Sequence, residues 1–362
     1  MERLQVEVAV IGAGQAGLAA GYWLRQRDLP SSRFVILDGN DGAGGAWQHR
    51  WPTLTMATVN GIHDLPGFAL DDVDPAARAS DVIAGYFTQY EHRFDLPVRR
   101  PVRVREVHDE GRWLRLDSPS LTVHARALLN ATGTWTRPFW PAYPGRDTFE
   151  GRQLHSATYD GPASFAGQHV IVVGGGISAL QHLAEISEVA ETTWVTRRPP
   201  EWFEGPLTPE RGRQVVAAVA ARVESGRRPA SVVSVTGLPA NSQHAVQARR
   251  NGALVRREMF QRLTPTGAVW ADGSTQAADT IVWATGFRHA LDHLAPLGLR
   301  TASGGIVMAD NLASRSQVAA DPRIHLLGYG PSASTVGASR AAREAVVAVL
   351  DLLDGDRLAA EG

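Results

Sequence analysis

Two glycine clusters carry the most legible chemistry in this chain. Gly12, Gly14 and Gly17 follow the apolar run Val8-Ala-Val-Ile with the spacing Gly-x-Gly-x-x-Gly. That spacing suits a strand, a tight turn and a helix start. The first glycine makes the turn, the second lets a pyrophosphate approach the backbone, and the third lets helix and strand pack closely. The helix N-terminus then offers unpaired N–H groups and a favourable dipole to the phosphates. Asp38 ends the next apolar run, 21 residues after Gly17, where a carboxylate can hold ribose hydroxyls. An acid there disfavours a 2′-phosphate, so this site suits FAD or NAD. Gly174, Gly176 and Ala179 repeat the pattern after Val170-Ile-Val-Val, and the following strand ends in Thr196-Arg197-Arg198. Two guanidiniums match a 2′-phosphate, which points to NADPH at the second loop, unless the arginines are simply a solvated surface. Thr196 offers a hydroxyl contact. Gln15 and Ser178 open the two helices and join the candidate cofactor contacts.

The elements that must position these loops repeat as well. Gly12 and Gly174 lie 162 residues apart. Two further strands, Leu128–Asn130 and Ile281–Trp283, each run into Ala-Thr-Gly, at Ala131–Gly133 and Ala284–Gly286. Two copies of one βαβ plan explain this. Between them the pattern predicts loops over 50–75, a helix over 81–95, strands over 98–127 and a helix over 210–224. A strand from Arg323 and a final helix from Thr335 to Leu353 close the chain, and 205–257 is the least legible stretch.

Composition removes several mechanisms. The 362 residues contain no cysteine and no lysine; all 36 basic residues are arginine, against 37 acidic ones. Thiolate catalysis, redox dithiols, cysteine-held metals and Schiff bases are therefore excluded. The net charge of -1 argues against nucleic acid as a partner. The histidines show no metal-ligand spacing. No signal peptide or membrane-length apolar run is evident, so a cytoplasmic protein is expected, with no membrane partner.

Phe149-Glu-Gly151-Arg-Gln-Leu-His155-Ser-Ala-Thr-Tyr159 stands just before the second loop. It matches the identifying pattern F-x-G-x-x-x-H-x-x-x-(Y/F) of the flavin-containing monooxygenases. With both glycine loops, Gly44-Gly45-Ala46-Trp47 and the two Ala-Thr-Gly ends, nearly the whole chain resembles the short soluble bacterial members of that family. The related Baeyer–Villiger enzymes carry tryptophan where Tyr159 stands.

The resemblance implies an α/β fold of two Rossmann-like dinucleotide-binding domains. An FAD domain, 1–155 and 281–362, would carry a smaller inserted NADPH domain, 156–280. It implies a flavin-dependent monooxygenase in which NADPH reduces FAD, and a C4a-hydroperoxyflavin oxygenates sulfur or nitrogen of a small molecule, as in sulfoxidation. The alternatives are an NADPH oxidase or electron-transfer reductase, and Baeyer–Villiger oxygenation of small ketones. A homodimer is a family-level expectation. Gly45, Trp47 and Gln48 match the segment along the flavin, although Trp47 also suits plain core packing. Asn60 is the candidate beside flavin and nicotinamide, or a turn residue before Gly61. Val104 is placed near adenine through its backbone, with Ala131 and Thr132 at the same end. Ser334 and Thr335 begin a helix whose N-terminus would face the flavin pyrimidine oxygen, cap the helix, or do both. His155 reads as a domain-junction residue rather than a proton shuttle.

Overall fold

The computed structural model describes residues 2–59, 62–205, 209–229, 237–309, 315–333 and 335–361. Val8–Ile11 are buried on both faces, as strands of a covered parallel sheet must be. They belong to β1 (Glu2–Ile11), which leads through the glycine turn into α1 (Gln15–Gln26) and β2 (Phe34–Leu37). Next come α2 (Ala79–Arg93), β3 (Val98–Arg99), the hairpin β4 (Glu106–Glu110) and β5 (Trp113–Asp117), and β6 (Leu121–Asn130). Helix α2 buries Ile83, Tyr86, Phe87 and Tyr90, spaced three and four apart along one face.

The second copy starts at β7 (Arg152–His155) and continues with β8 (His169–Val173), α3 (Ile177–Ile186) and β9 (Glu191–Thr196). Then follow β10 (Trp202–Phe203), α4 (Pro209–Glu224), β11 (Leu238–Pro239), α5 (Gln243–Arg250) and β12 (Arg256–Glu258). A small antiparallel sheet, β13 (Arg262–Thr264), β14 (Gly267–Val269) and β15 (Thr275–Ala277), precedes β16 (Thr280–Trp283). The chain returns through β17 (Gln317–Val318) and β18 (Asp321–Leu326) to α6 (Thr335–Glu361).

Pairing defines two main sheets. The first runs β17-β18-β6-β1-β2-β3, with β5 also on β6 and β4 on β5. The other runs β12-β9-β8-β16-β7 and is parallel throughout. The expected division, at 155/156 and 280/281, falls at the end of β7 and within β16. Both β7 and β16 hydrogen-bond within the second sheet, so 152–155 and 280–283 belong with the inserted unit, and a cut at 280/281 would divide β16.

The last helix lies against α1 and buries Ala342, Ala345, Val346, Val349 and Leu353, the face its periodicity announces. Among the described residues, no helix is long and apolar enough to cross a membrane.

Candidate functional site

Both glycine loops have the shape a dinucleotide needs. Gly12 holds φ +101°, and a β-carbon there would strike the Ala131 carbonyl; one on Gly17 would strike the Gly12 carbonyl. Helix α1 therefore sits as close to its strand as glycine allows. Its N-cap, Gly14, brings no side chain to the free N–H groups, and a β-carbon on Gly14 would meet only Gly45, at 4.0 Å. In the second loop Gly174 is pressed against the Ala284 carbonyl, while Gly176 opens onto empty space at the uncapped start of α3. Ala179 is buried where helix meets sheet, and Ser178 beside it is half-buried. Each loop thus has one crowded glycine that makes the turn and one open glycine that leaves room for phosphate.

The segment after Asp38 closes on the first loop. Gly45 takes φ +53°, with its Cα side against Gly14. Gln48 donates to the carbonyls of Gly42 (3.1 Å) and Gly45 (3.2 Å), so its amide holds this loop in shape. Trp47 packs at the edge of the main core. Gln15 reaches the His63 carbonyl (3.3 Å) and Ser339 (3.4 Å), tying α1 to the last helix.

Asp38 is buried, and most of its acceptor capacity is already used. Its Oδ2 accepts from Arg100 Nε at 3.0 Å, and Oδ1 accepts from the backbone and side-chain nitrogens of Asn40 at 3.3 and 3.0 Å. Arg100 is in turn gripped by Glu91 at 2.6 and 2.7 Å. The sequence marked Asp38 but gave no sign of Arg100, 62 residues away. Val104 lies in the second apolar cluster, two residues past Val102, whose N–H donates to the Asp38 carbonyl.

At the end of β9, Arg197 and Arg198 are exposed, and neither makes an ion pair among the described residues. Arg288 lies near enough to Arg197 for the two charges to repel. Its pKa is lowered by burial first, then by Arg228 and Arg197. The Thr196 side chain is buried. The hydroxyl donates to the Arg198 carbonyl (2.8 Å) and accepts from Arg256 Nε (2.7 Å). It braces the arginine turn and has no proton left to offer a nucleotide. The Thr132 hydroxyl donates to the Ala290 carbonyl at 2.7 Å and accepts from Asn130 at 3.1 Å. Ala131 extends the ladder, its N–H bonded to Ile11.

The signature residues sit where the sheets join. His155 Nδ1 accepts from the Ala157 N–H at 3.0 Å, which leaves Nε2–H to donate to the Gly286 carbonyl at 3.0 Å. Burial keeps this ring neutral by lowering its pKa, the Gly286 bond opposing in part. Tyr159 donates to Glu185 Oε2 (2.8 Å), which also accepts from Thr53 (2.7 Å), so this carboxylate of α3 ties Tyr159 to the loop that carries Thr53. Burial raises the Glu185 pKa. The segments after the two Ala-Thr-Gly ends run together as a double linker: Phe139 N–H bonds Gly286, Arg288 bonds Arg137, and Ala290 bonds Gly133. Asn60 and Ser334 lie outside the described residues. Thr335 opens α6, and its side chain is not among those described.

Comparison with known proteins agrees with this geometry. The model of the pyridine nucleotide-disulphide oxidoreductase family matches residues 9–319. A flavin-containing monooxygenase structure from Stenotrophomonas maltophilia is 38% identical with a TM-score of 0.82, covering 98% of this chain and 100% of that one. Indole-3-pyruvate monooxygenase YUCCA1 of Oryza sativa is 27% identical over 314 residues, covering 77% of this chain and 76% of its own. The uncharacterized oxidoreductase CzcO of Bacillus subtilis is 26% identical over 308 residues, 83% and 87% of the two chains. This chain belongs to the pyridine nucleotide-disulphide oxidoreductase family and, within it, to the flavin-containing monooxygenases, enzymes that bind FAD and NADP(H).

Proposed function

We propose that this chain is an NADPH-using monooxygenase that transfers one atom of oxygen to sulfur or nitrogen of a small molecule, the second atom leaving as water. The observation that carries the reading is the signature, with tyrosine at 159, placed between two open glycine loops of which the second is followed by Arg197 and Arg198. Bound FAD supplies the redox chemistry, taking hydride from NADPH and activating oxygen as a C4a-hydroperoxide. The chain's own residues bind, orient and exclude water. Gly12, Gly14, Gly17 and Asp38 would hold FAD, with Gly45, Trp47 and Gln48 along it. Gly174, Gly176 and Ala179 would hold the pyrophosphate of NADPH, and Arg197 and Arg198 its 2′-phosphate. Arg100 would fix the direction of the Asp38 carboxylate, and Thr196 with Arg256 would fix the arginine turn. His155 and Tyr159 would keep the two cofactor units in register. No side-chain acid–base pair is needed. In this reading 1–151 and 284–362 form the FAD unit and 152–283 the NADPH unit.

The test is FAD-loaded protein given NADPH, oxygen and a panel of thioethers, amines and small ketones. Sulfoxide or N-oxide formed in step with NADPH consumption is expected. Hydrogen peroxide as the sole oxygen product would make the chain an NADPH oxidase or reductase. Ester formation from the ketones alone would make it a Baeyer–Villiger enzyme.

A further inference from the structure

Among the described residues, Arg50 is a cation without a counter-charge. Its guanidinium lies over the indoles of Trp47 and Trp135, 5.4 and 4.7 Å from the ring centroids. Its Nε is fully buried and has no hydrogen-bond partner. No ion pair is made to it among the described residues, although the chain carries 37 carboxylates. Burial alone pulls its pKa down to about 10, with no acid nearby to oppose the shift. Arg50 as a whole is part-exposed, but the Nε end of its guanidinium is buried and unpaired; leaving such a group so is expensive, and proteins ordinarily pair it or bind something to it.

The surroundings identify the missing partner. Arg50 ends the turn Trp47–His49, its N–H bonded to the Trp47 carbonyl, and that turn follows Gly45, which lies on Gly14 of the first loop. Trp135 follows Gly133 and stacks on Phe287 at 5.0 Å, one more contact between the two linkers. Arg50 therefore stands between the first glycine loop and the root of the connection to the second unit. Both indoles lie against the guanidinium, and among the described residues none of its N–H groups donates a hydrogen bond. A guanidinium edge is a planar fork of N–H donors suited to a phosphate.

We propose that Arg50 binds a phosphate of a dinucleotide lying between the two sheets, an assignment that rests on the reading above that both FAD and NADPH bind here. The same chemistry is offered by the pyrophosphate of either cofactor, and the experiment separates them. Full-length wild type, Arg50→Met and Arg50→Lys are compared by calorimetric titration of apoprotein with FAD and of FAD-loaded protein with NADP+, together with the thermal midpoint of the apoprotein. The expected result for Arg50→Met is an apoprotein at least as stable as wild type, because an unpaired buried charge has been removed. Its dissociation constant for FAD or for NADP+ should rise tenfold or more, and the cofactor affected is the source of the phosphate. Arg50→Lys keeps the charge and should recover part of that loss; it also serves if the methionine variant does not fold. Affinities for both cofactors within twofold of wild type in either folded variant would overturn the assignment and leave Arg50 as a stacking residue. Wild type that binds neither cofactor would instead overturn the underlying function.

Discussion

Lowering the pH from 7.5 to 5.5 should strip this fold of much of its stability through histidines that cannot accept a proton while folded. Burial holds His182 at about 3 and His289, His293 and His325 at about 4. An unfolded histidine titrates near 6.5, so it takes up protons at pH values where these four folded rings stay neutral. The sign follows: folded pKa values below the unfolded one leave stability level above about pH 6.5, and stability then falls as the pH drops toward about 4. At pH 5.5 each ring contributes a loss of about 1.3 kcal/mol, so the four together remove about 5 kcal/mol, comparable with the whole stability of many domains. Unfolding at pH 5.5 should also take up about 3.5 protons through these rings, and almost none at pH 8. His155 and His244, also lowered by burial, act in the same direction, while buried Glu185, raised, acts against it. The assay is equilibrium urea unfolding of the apoprotein across pH 5–8, with His289→Gln as the attribution control. His289 meets the Tyr329 ring at 4.8 Å, and its charge would face Arg288 and Arg300. Removing it should flatten the slope by about 1 kcal/mol per pH unit below pH 6. Stability at pH 5.5 within 1 kcal/mol of that at pH 7.5 would refute the reasoning.

Three further outcomes follow from the site. Replacing Arg197 and Arg198 with glutamine should raise KM for NADPH by about tenfold to a hundredfold, the loss of one or two charge-assisted hydrogen bonds, and leave KM for NADH nearly unchanged; steady-state kinetics with both cofactors checks this. Gly174→Ala would force a β-carbon into the Ala284 carbonyl from a φ of +150°. It should stop reduction of bound FAD by NADPH while chemical reductant still bleaches the flavin. Tyr159→Phe removes the donor to Glu185 and should cost about 1 kcal/mol in urea unfolding, the worth of one side-chain hydrogen bond.

Much of this is legible in the sequence, and the reason is local. A glycine loop, the strand before it and the acid or arginine after it lie within about 30 residues, and their spacing has one physical reading. The apolar runs at Val8 and Val170 declared parallel strands because both faces are buried. The rest is set where distant residues meet. The hydroxyls of Thr196 and Thr132 meet Arg256 and Ala290, 60 and 158 residues away in the chain. Arg100 was invisible for the same reason, its partners Asp38 and Glu91 lying on different elements. His155, which the sequence places at a domain junction inside the 149–159 motif, also ends a strand paired with β16, a pairing across 128 residues that no local pattern announces. Arg50 drew no notice in the sequence, because an arginine after Trp-Gln-His looks like a surface residue until its burial and missing partner are seen.

The central claim is that oxygen is transferred to the substrate rather than merely reduced. A single turnover of FAD-loaded, NADPH-reduced protein with 18O2 and a thioether tests it most directly. The account predicts sulfoxide carrying one 18O atom, close to one equivalent per flavin. Unlabelled thioether recovered intact beside labelled hydrogen peroxide would contradict it.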